Sequence, residues 1–325
     1  MGDNMRNIFI VNPCAGQGKN NDKLINFINE SCSFIGADYE IYVTKSVNDA
    51  TFYVKQYLNS YGTARFIACG GDGTLSEVLN GIAGFPDAQV GVMPCGTGND
   101  FCRNFVTTAS YRDVISQIYG YLVKCDAIKY TSEINGDFHT GYCANMVNIG
   151  FDSNVADMTA EMKKKPLISG SVAYYLSILA KLVKKDGADL IIDADGEVVH
   201  SGPLLLSSVA NGSYCGGGIK SNPMADVTDG FLNINIVNNV SRLKFIKLLP
   251  HYIKGDFIKL KNIESVVKTF KCKKLTVSPS GGTMRMCCDG EIYDAGKTVF
   301  EVVPGFFNFI IPSEAEFKSK GIICK

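Results

Sequence analysis

No stretch of the 325 residues approaches the roughly 20 consecutive apolar positions that a membrane-crossing helix needs, and the opening residues, Met1 to Arg6, are polar rather than a secretory h-region. A cytoplasmic protein is expected. The twelve cysteines include no C-x-x-C pair and lie mostly within apolar runs, which argues against a zinc site and for reduced, small core residues in a reducing compartment. The three histidines, His139, His200 and His251, form no cluster, and structural roles are expected for them. Net charge is absent too, since 32 basic and 32 acidic side chains cancel. Nucleic acid is not an expected partner: aromatic residues are not interleaved with basic ones at stacking intervals, and no binding motif occurs. Internal repeats and low-complexity linkers are also missing.

The composition, 46% hydrophobic and 20% charged, is ordinary for a soluble globular protein, and the length suits two domains. Charge is nevertheless uneven. Residues 1 to 160 carry 10 basic and 16 acidic side chains, whereas residues 241 to 274 carry 10 and 2. That late basic block reads either as a solvated face or as a surface drawn to an anionic membrane.

The first part of the chain alternates between strand and helix patterns. Strands are predicted at 7–11, 39–43, 65–69 and 90–93, and helices at 20–34, 49–58, 74–82, 99–104 and 111–119. Such alternation gives a parallel sheet with helices on both faces, whose ligands collect at the C-terminal strand ends. From about Lys124 the pattern turns to β. Segments 127–134 and 138–149 read as a hairpin about Asn135-Gly136-Asp137, and further strands are predicted at 188–193, 203–210, 231–237, 263–270, 274–278, 283–288 and 298–303. Two apolar-striped helices, 172–184 and 241–253, carry lysines at their edges and either pack on this β region or meet lipid. The segment 306–318 is past the last clear strand and could return to the first domain.

Three glycine-rich segments each follow a strand and open a helix. They are Asn12-Pro13-Cys14-Ala15-Gly16-Gln17-Gly18-Lys19, Gly70-Gly71-Asp72-Gly73-Thr74, and Pro94-Cys95-Gly96-Thr97-Gly98-Asn99-Asp100 with Arg103 one turn later. Glycines leave backbone N–H groups uncovered, and a helix N-terminus adds partial positive charge, so a phosphate suits such turns. The Gly-x-x-x-x-Gly-Lys-Ser/Thr loop is not among them. Asp72 would repel a phosphate unless it meets the accompanying cation or hydrogen-bonds to a hydroxyl. Downstream, Asp226-Val227-Thr228-Asp229-Gly230-Phe231 and Cys288-Asp289-Gly290-Glu291 are turns with carboxylates. Asp229 with backbone carbonyls would suit a hard cation, or serve only as a turn acid.

In order, Asn-Pro-x-Ala-Gly, Gly-Gly-Asp-Gly-Thr, Gly-Thr-Gly-Asn-Asp-Phe-x-Arg, Gly-Gly-Gly, Asp-Gly-Phe-Leu and Asp-Gly-Glu resemble the soluble diacylglycerol kinase and related bacterial lipid kinase family over nearly the whole chain. That family is similar in fold to sphingosine and NAD kinases. The resemblance implies a doubly wound α/β ATP-binding domain, residues 1–125 plus 306–325, and an antiparallel β-sandwich lipid-substrate domain, residues 126–305, with the active site in the cleft between them. It implies transfer of the γ-phosphoryl group of ATP to a lipid alcohol, foremost diacylglycerol giving phosphatidic acid. Asn12, Lys19, Gly70, Gly71, Asp72, Gly73 and Thr74, with Gly96, Thr97, Gly98, Asn99, Asp100 and Arg103, would serve ATP. Asp289 would take the acceptor proton, Glu291 would sit at the catalytic Mg²⁺, and Asp229 would hold a structural Mg²⁺ with the carbonyls of Asp226 and Phe231. A peripheral membrane surface and a homodimer are the implied partners. Cys102 departs from the family's usual alanine. Sphingoid bases and polyprenols are alternative acceptors. An NAD kinase would need an Asn-Glu pair after position 74, and the only pair is Asn29-Glu30. A nucleotide-binding regulator without turnover is opposed by the presence of Asp289 and Glu291.

Overall fold

The apolar runs of the first part become strands β1 (Asn7–Val11), β2 (Tyr39–Val43), β3 (Arg65–Gly70) and β4 (Gln89–Pro94), all mutually parallel and ordered β4-β3-β1-β2. They belong to a computed structural model that describes residues 5–18, 21–105, 108–134, 136–150 and 187–312. Lys19 and the helix expected at 172–184 lie outside the described residues. The chain divides into two units, Met1–Cys125 with Gly305–Lys325, and Asp126–Pro304.

In the first unit β1 and β4 are buried throughout, which explains why they read as unbroken apolar runs and not as alternating ones. Helix α1 (Asn21–Ile35) buries Ile28 and Cys32 on the sheet face of Phe9, Val11, Ile67 and Cys69, beside Val114 and Ile118 of α4 (Val114–Ile118). The opposite face takes α2 (Asp49–Tyr61) and α3 (Asp72–Gly81). Tyr57 meets Phe66 edge-on at 5.9 Å between centroids, and a Cβ on Gly81 would come within 2.7 Å of Val54, so glycine is what lets these two helices touch. Because β1 and β3 are neighbours while β2 lies on the far side of β1, the strand order reverses between β1 and β3. In doubly wound sheets that reversal opens the ligand crevice beyond the C-terminal strand ends.

The second unit is antiparallel. Strands β5 (Tyr121–Ile134) and β6 (Asp137–Cys143) form the expected hairpin, followed by β7 (Met146–Gly150), β8 (Ala188–Ala194), β9 (Glu197–Ala210), β10 (Leu232–Asn238), β11 (Val267–Cys272), β12 (Lys274–Pro279), β13 (Met284–Cys288), β14 (Glu291–Ala295) and β15 (Thr298–Ile311). Val147, Ile149, Val209, Ile234, Leu275 and Phe300 share its main core. A second cluster gathers Met146, Leu206, Val237 and Phe257 under helix α5 (Arg242–Lys254), which lays Phe245, Leu248, Leu249 and Tyr252 against them.

Strand β14 is not among the strands expected, the helix expected at 111–119 divides into a 3₁₀ turn, Thr108–Arg112, and α4, and three further elements differ from the sequence reading. The strand expected over 138–149 breaks between β6 and β7 at Ala144 and Asn145. The last strand does not stop at 303 but runs to Ile311 across Pro304 and Gly305, whose φ of +58° only glycine adopts without strain, and Asn308 and Phe309 pair in parallel with β4. The helix expected at 99–104 is a 3₁₀ turn, Phe101–Asn104.

Candidate active site

The loops that follow β1, β3 and β4 converge at one sheet edge. A Cβ on Gly96 would lie 2.5 Å from the Gly71 Cα, and one on Gly16, at φ +61°, would lie 3.0 Å from the Cys95 carbonyl oxygen. The backbones therefore approach as only glycine permits. Asn12 Nδ2 donates to Thr74 Oγ1 at 3.1 Å, linking the first loop to the second. The amides of Cys95 and Gly96 both donate to the Gly70 carbonyl, at 2.8 and 3.1 Å, linking the third. Gly71 caps α3 in an extended conformation, so the first-turn amides of that helix lie at the same edge. A hollow opens there between Gly70, Gly71, Asp72, Pro94, Asn99 and Phe101.

Asp72 does local work. Its carboxylate accepts the amide of Asn99 through Oδ2 and that of Asp100 through Oδ1, both at 2.7 Å, bracing the third loop from the second. Burial among the three loops pushes its carboxyl above the ordinary value, and those amide hydrogen bonds oppose the rise. The third loop is held from within by Asn99 Nδ2 on the Gly96 carbonyl at 2.7 Å, and Asn99 itself sits at φ +52°. Below it, Phe101 packs edge-on to Phe309 at 4.9 Å, which anchors the 3₁₀ turn carrying Arg103. Arg103 donates through Nη2 to the Gly98 carbonyl at 3.1 Å and lies 3.5 Å from Asp100 Oδ1. Asn12, Gly70 to Thr74, Gly96 to Asp100 and Arg103 are thus brought together in the first unit. A nucleotide phosphate fits this cradle, because the close approach of Gly16, Gly71 and Gly96 leaves the first turn of α3 uncovered by any Cβ at that edge.

Asp289 belongs to the second unit and occupies the β13–β14 turn at φ +46°. Its Oδ2 accepts the amide of Ala144 at 2.6 Å, and its Oδ1 accepts those of Asn145 at 3.1 Å and Met146 at 3.0 Å. These charge-assisted bonds explain the break between β6 and β7: the two residues leave the ladder because their amides turn to a carboxylate. Sequence reasoning gave no signal for this, since the partners are about 145 positions apart. Glu291 opens β14 and is exposed.

The turn 226–231 has its own arrangement. Asp229 Oδ1 accepts the Phe231 amide at 3.0 Å, and its Oδ2 meets Lys271 Nζ at 2.6 Å. Asp226 Oδ1 accepts the Thr228 amide and hydroxyl. Asp126, buried and not singled out from the sequence, accepts the Gly230 amide at 2.7 Å and fixes the turn to β5. Among the described residues no three His, Cys, Asp or Glu side chains gather as a metal cluster.

Comparison with known proteins places these features. The diacylglycerol kinase catalytic domain matches residues 6–130, and the YegS C-terminal NAD kinase beta sandwich-like domain matches residues 145–311. A protein of Staphylococcus epidermidis named diacylglycerol kinase is 30% identical over 258 residues, covering 79% of this chain and 76% of its own. One of the same name from Mycobacterium tuberculosis is 28% identical over 257 residues, covering 77% and 78%. The crystal structure of a diacylglycerol kinase from Bacillus anthracis superposes with a TM-score of 0.69 at 22% identity, covering 95% of this chain and 97% of that one, which speaks for the fold. An α/β catalytic domain of this type joined to a YegS-type β-sandwich makes the chain a member of the diacylglycerol kinase and YegS-like family of lipid kinases.

Proposed function

We propose that the protein transfers the γ-phosphoryl group of ATP to the hydroxyl of diacylglycerol, giving phosphatidic acid, at a membrane surface. The observation that carries the reading is the meeting of Gly71 and Gly96 beside the N-terminus of α3, where a hollow opens at the C-terminal ends of β3 and β4. The names of the relatives supply the acceptor class. In this reading the phosphates meet the first turn of α3 and the 96–100 loop, whose amides at Gly96, Asn99 and Asp100 are held by the Gly70 carbonyl and the Asp72 carboxylate; Asn12 and Thr74 keep the first two loops in register, and Arg103 lends positive charge at the third. Lys19 is assigned to the same phosphates from its place in the first loop.

Phosphoryl transfer requires alignment of donor and acceptor, charge neutralisation, and one acceptor for the hydroxyl proton. We assign that proton to Asp289 and place Glu291 at the metal that accompanies the nucleotide. The chemistry that magnesium would supply there is neutralisation of the charge on the transferring phosphoryl group.

The test is a radiolabelled-ATP assay over lipid alcohols in mixed vesicles, with the product identified by mass. Diacylglycerol is expected to be the preferred acceptor, and Asp289→Asn to lower kcat by about 10²–10⁴ with the KM for ATP little changed. Preferred labelling of a sphingoid base or polyprenol would reject the acceptor. Wild-type kcat in Asp289→Asn would reject the base.

A further inference from the structure

The resemblance implies a structural Mg²⁺ on the 226–231 turn, bound by the Asp229 carboxylate and the carbonyls of Asp226 and Phe231. The donor set in this chain does not fit that ion. Magnesium asks for near-octahedral oxygens at about 2.0–2.1 Å. Asp229 Oδ2 is instead met at 2.6 Å by the Lys271 ammonium, and Oδ1 receives the Phe231 amide at 3.0 Å. The Asp226 carbonyl faces the Asp229 amide at 3.5 Å, and the Asp226 side chain is engaged by Thr228. A second ammonium is close: Lys273 Nζ lies 5.7 Å from the centre of the Phe231 ring, and Lys271 Nζ lies 6.0 Å from it. An added dication would contend with both.

The placement of Lys271 follows from the sheet. It stands opposite Asn233 in the β10–β11 register, and Asn233 is two residues past Phe231, which ends the turn just before β10, so Lys271 lies where the turn enters the strand. The Asp229 side chain keeps 20% of its surface and the Lys271 side chain 44%, so the carboxylate end of the pair is partly shielded while the lysine remains open to water.

We propose that Lys271 is the resident cation of the 226–231 turn, and that the folded, nucleotide-free chain holds no magnesium there. The ammonium supplies the single positive charge that Asp229 needs, and Asp126 supplies the acceptor for the Gly230 amide. Divalent-metal dependence is then confined to the nucleotide. This inference stands apart from the choice of lipid acceptor and from turnover.

The experiment uses the full chain without nucleotide. Thermal unfolding is followed in EDTA and in millimolar MgCl₂, and bound magnesium is measured by elemental analysis after desalting. Wild type is expected to melt within about 1 °C in the two buffers and to carry no stoichiometric magnesium. Lys271→Met, which keeps an unbranched stem, is expected to lower Tm by about 2–4 °C, Lys271→Arg to restore it, and Lys271→Met with Asp229→Asn to fall no further than Lys271→Met alone. Magnesium that raises the Tm of wild type but not of Asp229→Asn would overturn the proposal, as would one tightly bound ion per chain. Additive effects in the double variant would overturn the ion pair. Should Lys271→Met fail to fold, the wild-type measurements alone still decide the metal.

Discussion

Asp72 illustrates at the scale of a single residue why a carboxylate can belong among glycine-rich loops. Its two oxygens face backbone amides of the neighbouring loop at 2.7 Å, so its charge is directed into the protein frame, and the repulsion expected from sequence is largely answered by geometry. Asp72→Ala leaves both amides without this acceptor, and a loss of about 2–4 kcal/mol in urea unfolding is expected. The residue also has a pH signature. Its folded carboxyl is raised by burial above the unfolded value of 3.8, so the unfolded chain ionises first as pH rises. Stability from this group is therefore fully present below pH 3.8 and declines as pH climbs from there through the raised folded value, after which it is level. Asp72→Asn should remove that slope. A wild-type advantage over Asp72→Asn that grew across this acid window would contradict burial as the dominant cause.

At the scale of elements, the parallel strands of the first unit were legible as short unbroken apolar runs, and helix α5 by an apolar face of helical period. The break between β6 and β7 was not. Nothing near Ala144 and Asn145 marks a strand end; their amides are diverted by Asp289, which arrives from another hairpin. The final strand was misjudged for the opposite reason. Pro304 and Gly305 look like terminators, yet the chain bends at Gly305 and resumes pairing at Asn308. Local punctuation thus predicts a strand end only when no distant partner continues the ladder. The β6–β7 corner gives a direct check. Asp289→Ala removes the acceptor of three amides, and hydrogen exchange at Ala144, Asn145 and Met146 is expected to speed up by about tenfold or more while amides inside β9 keep their protection. Unchanged exchange at the corner would mean that the loop is fixed by Asn145 Nδ2 on the Tyr214 carbonyl instead.

For the whole molecule, zero net charge would suggest indifference to an anionic surface, but charge is distributed by element rather than averaged. The convergence of the three glycine-rich loops was readable because a parallel sheet delivers the C-terminal ends of its strands to one edge, whatever the separation along the chain. The Asp229–Lys271 pair was not, because it depends on the register of β10 against β11. Helix α5 combines both kinds of information. Its inward face covers the second core, while Leu243 and Ile246 stay 74% and 48% exposed among Lys244, Lys247 and Lys254 on the outward side. No described helix is long and apolar enough to cross a membrane; an exposed apolar and lysine-rich helix face of this kind is the type that lies on a lipid surface. If α5 is the docking face, binding to vesicles containing anionic lipid should weaken as salt rises from about 0.05 to 0.5 M, because screening shortens the reach of its lysines. Lys244→Glu with Lys247→Glu should weaken it by about tenfold or more, at roughly 1 kcal/mol per lysine removed, and Leu243→Asp should weaken it at every salt concentration. Phosphorylation of a short-chain diacylglycerol dispersed without vesicles should be nearly unchanged in both variants. Equal loss on dispersed and vesicular substrate would instead assign these residues to folding of the unit, and undiminished vesicle binding would remove α5 from the membrane contact.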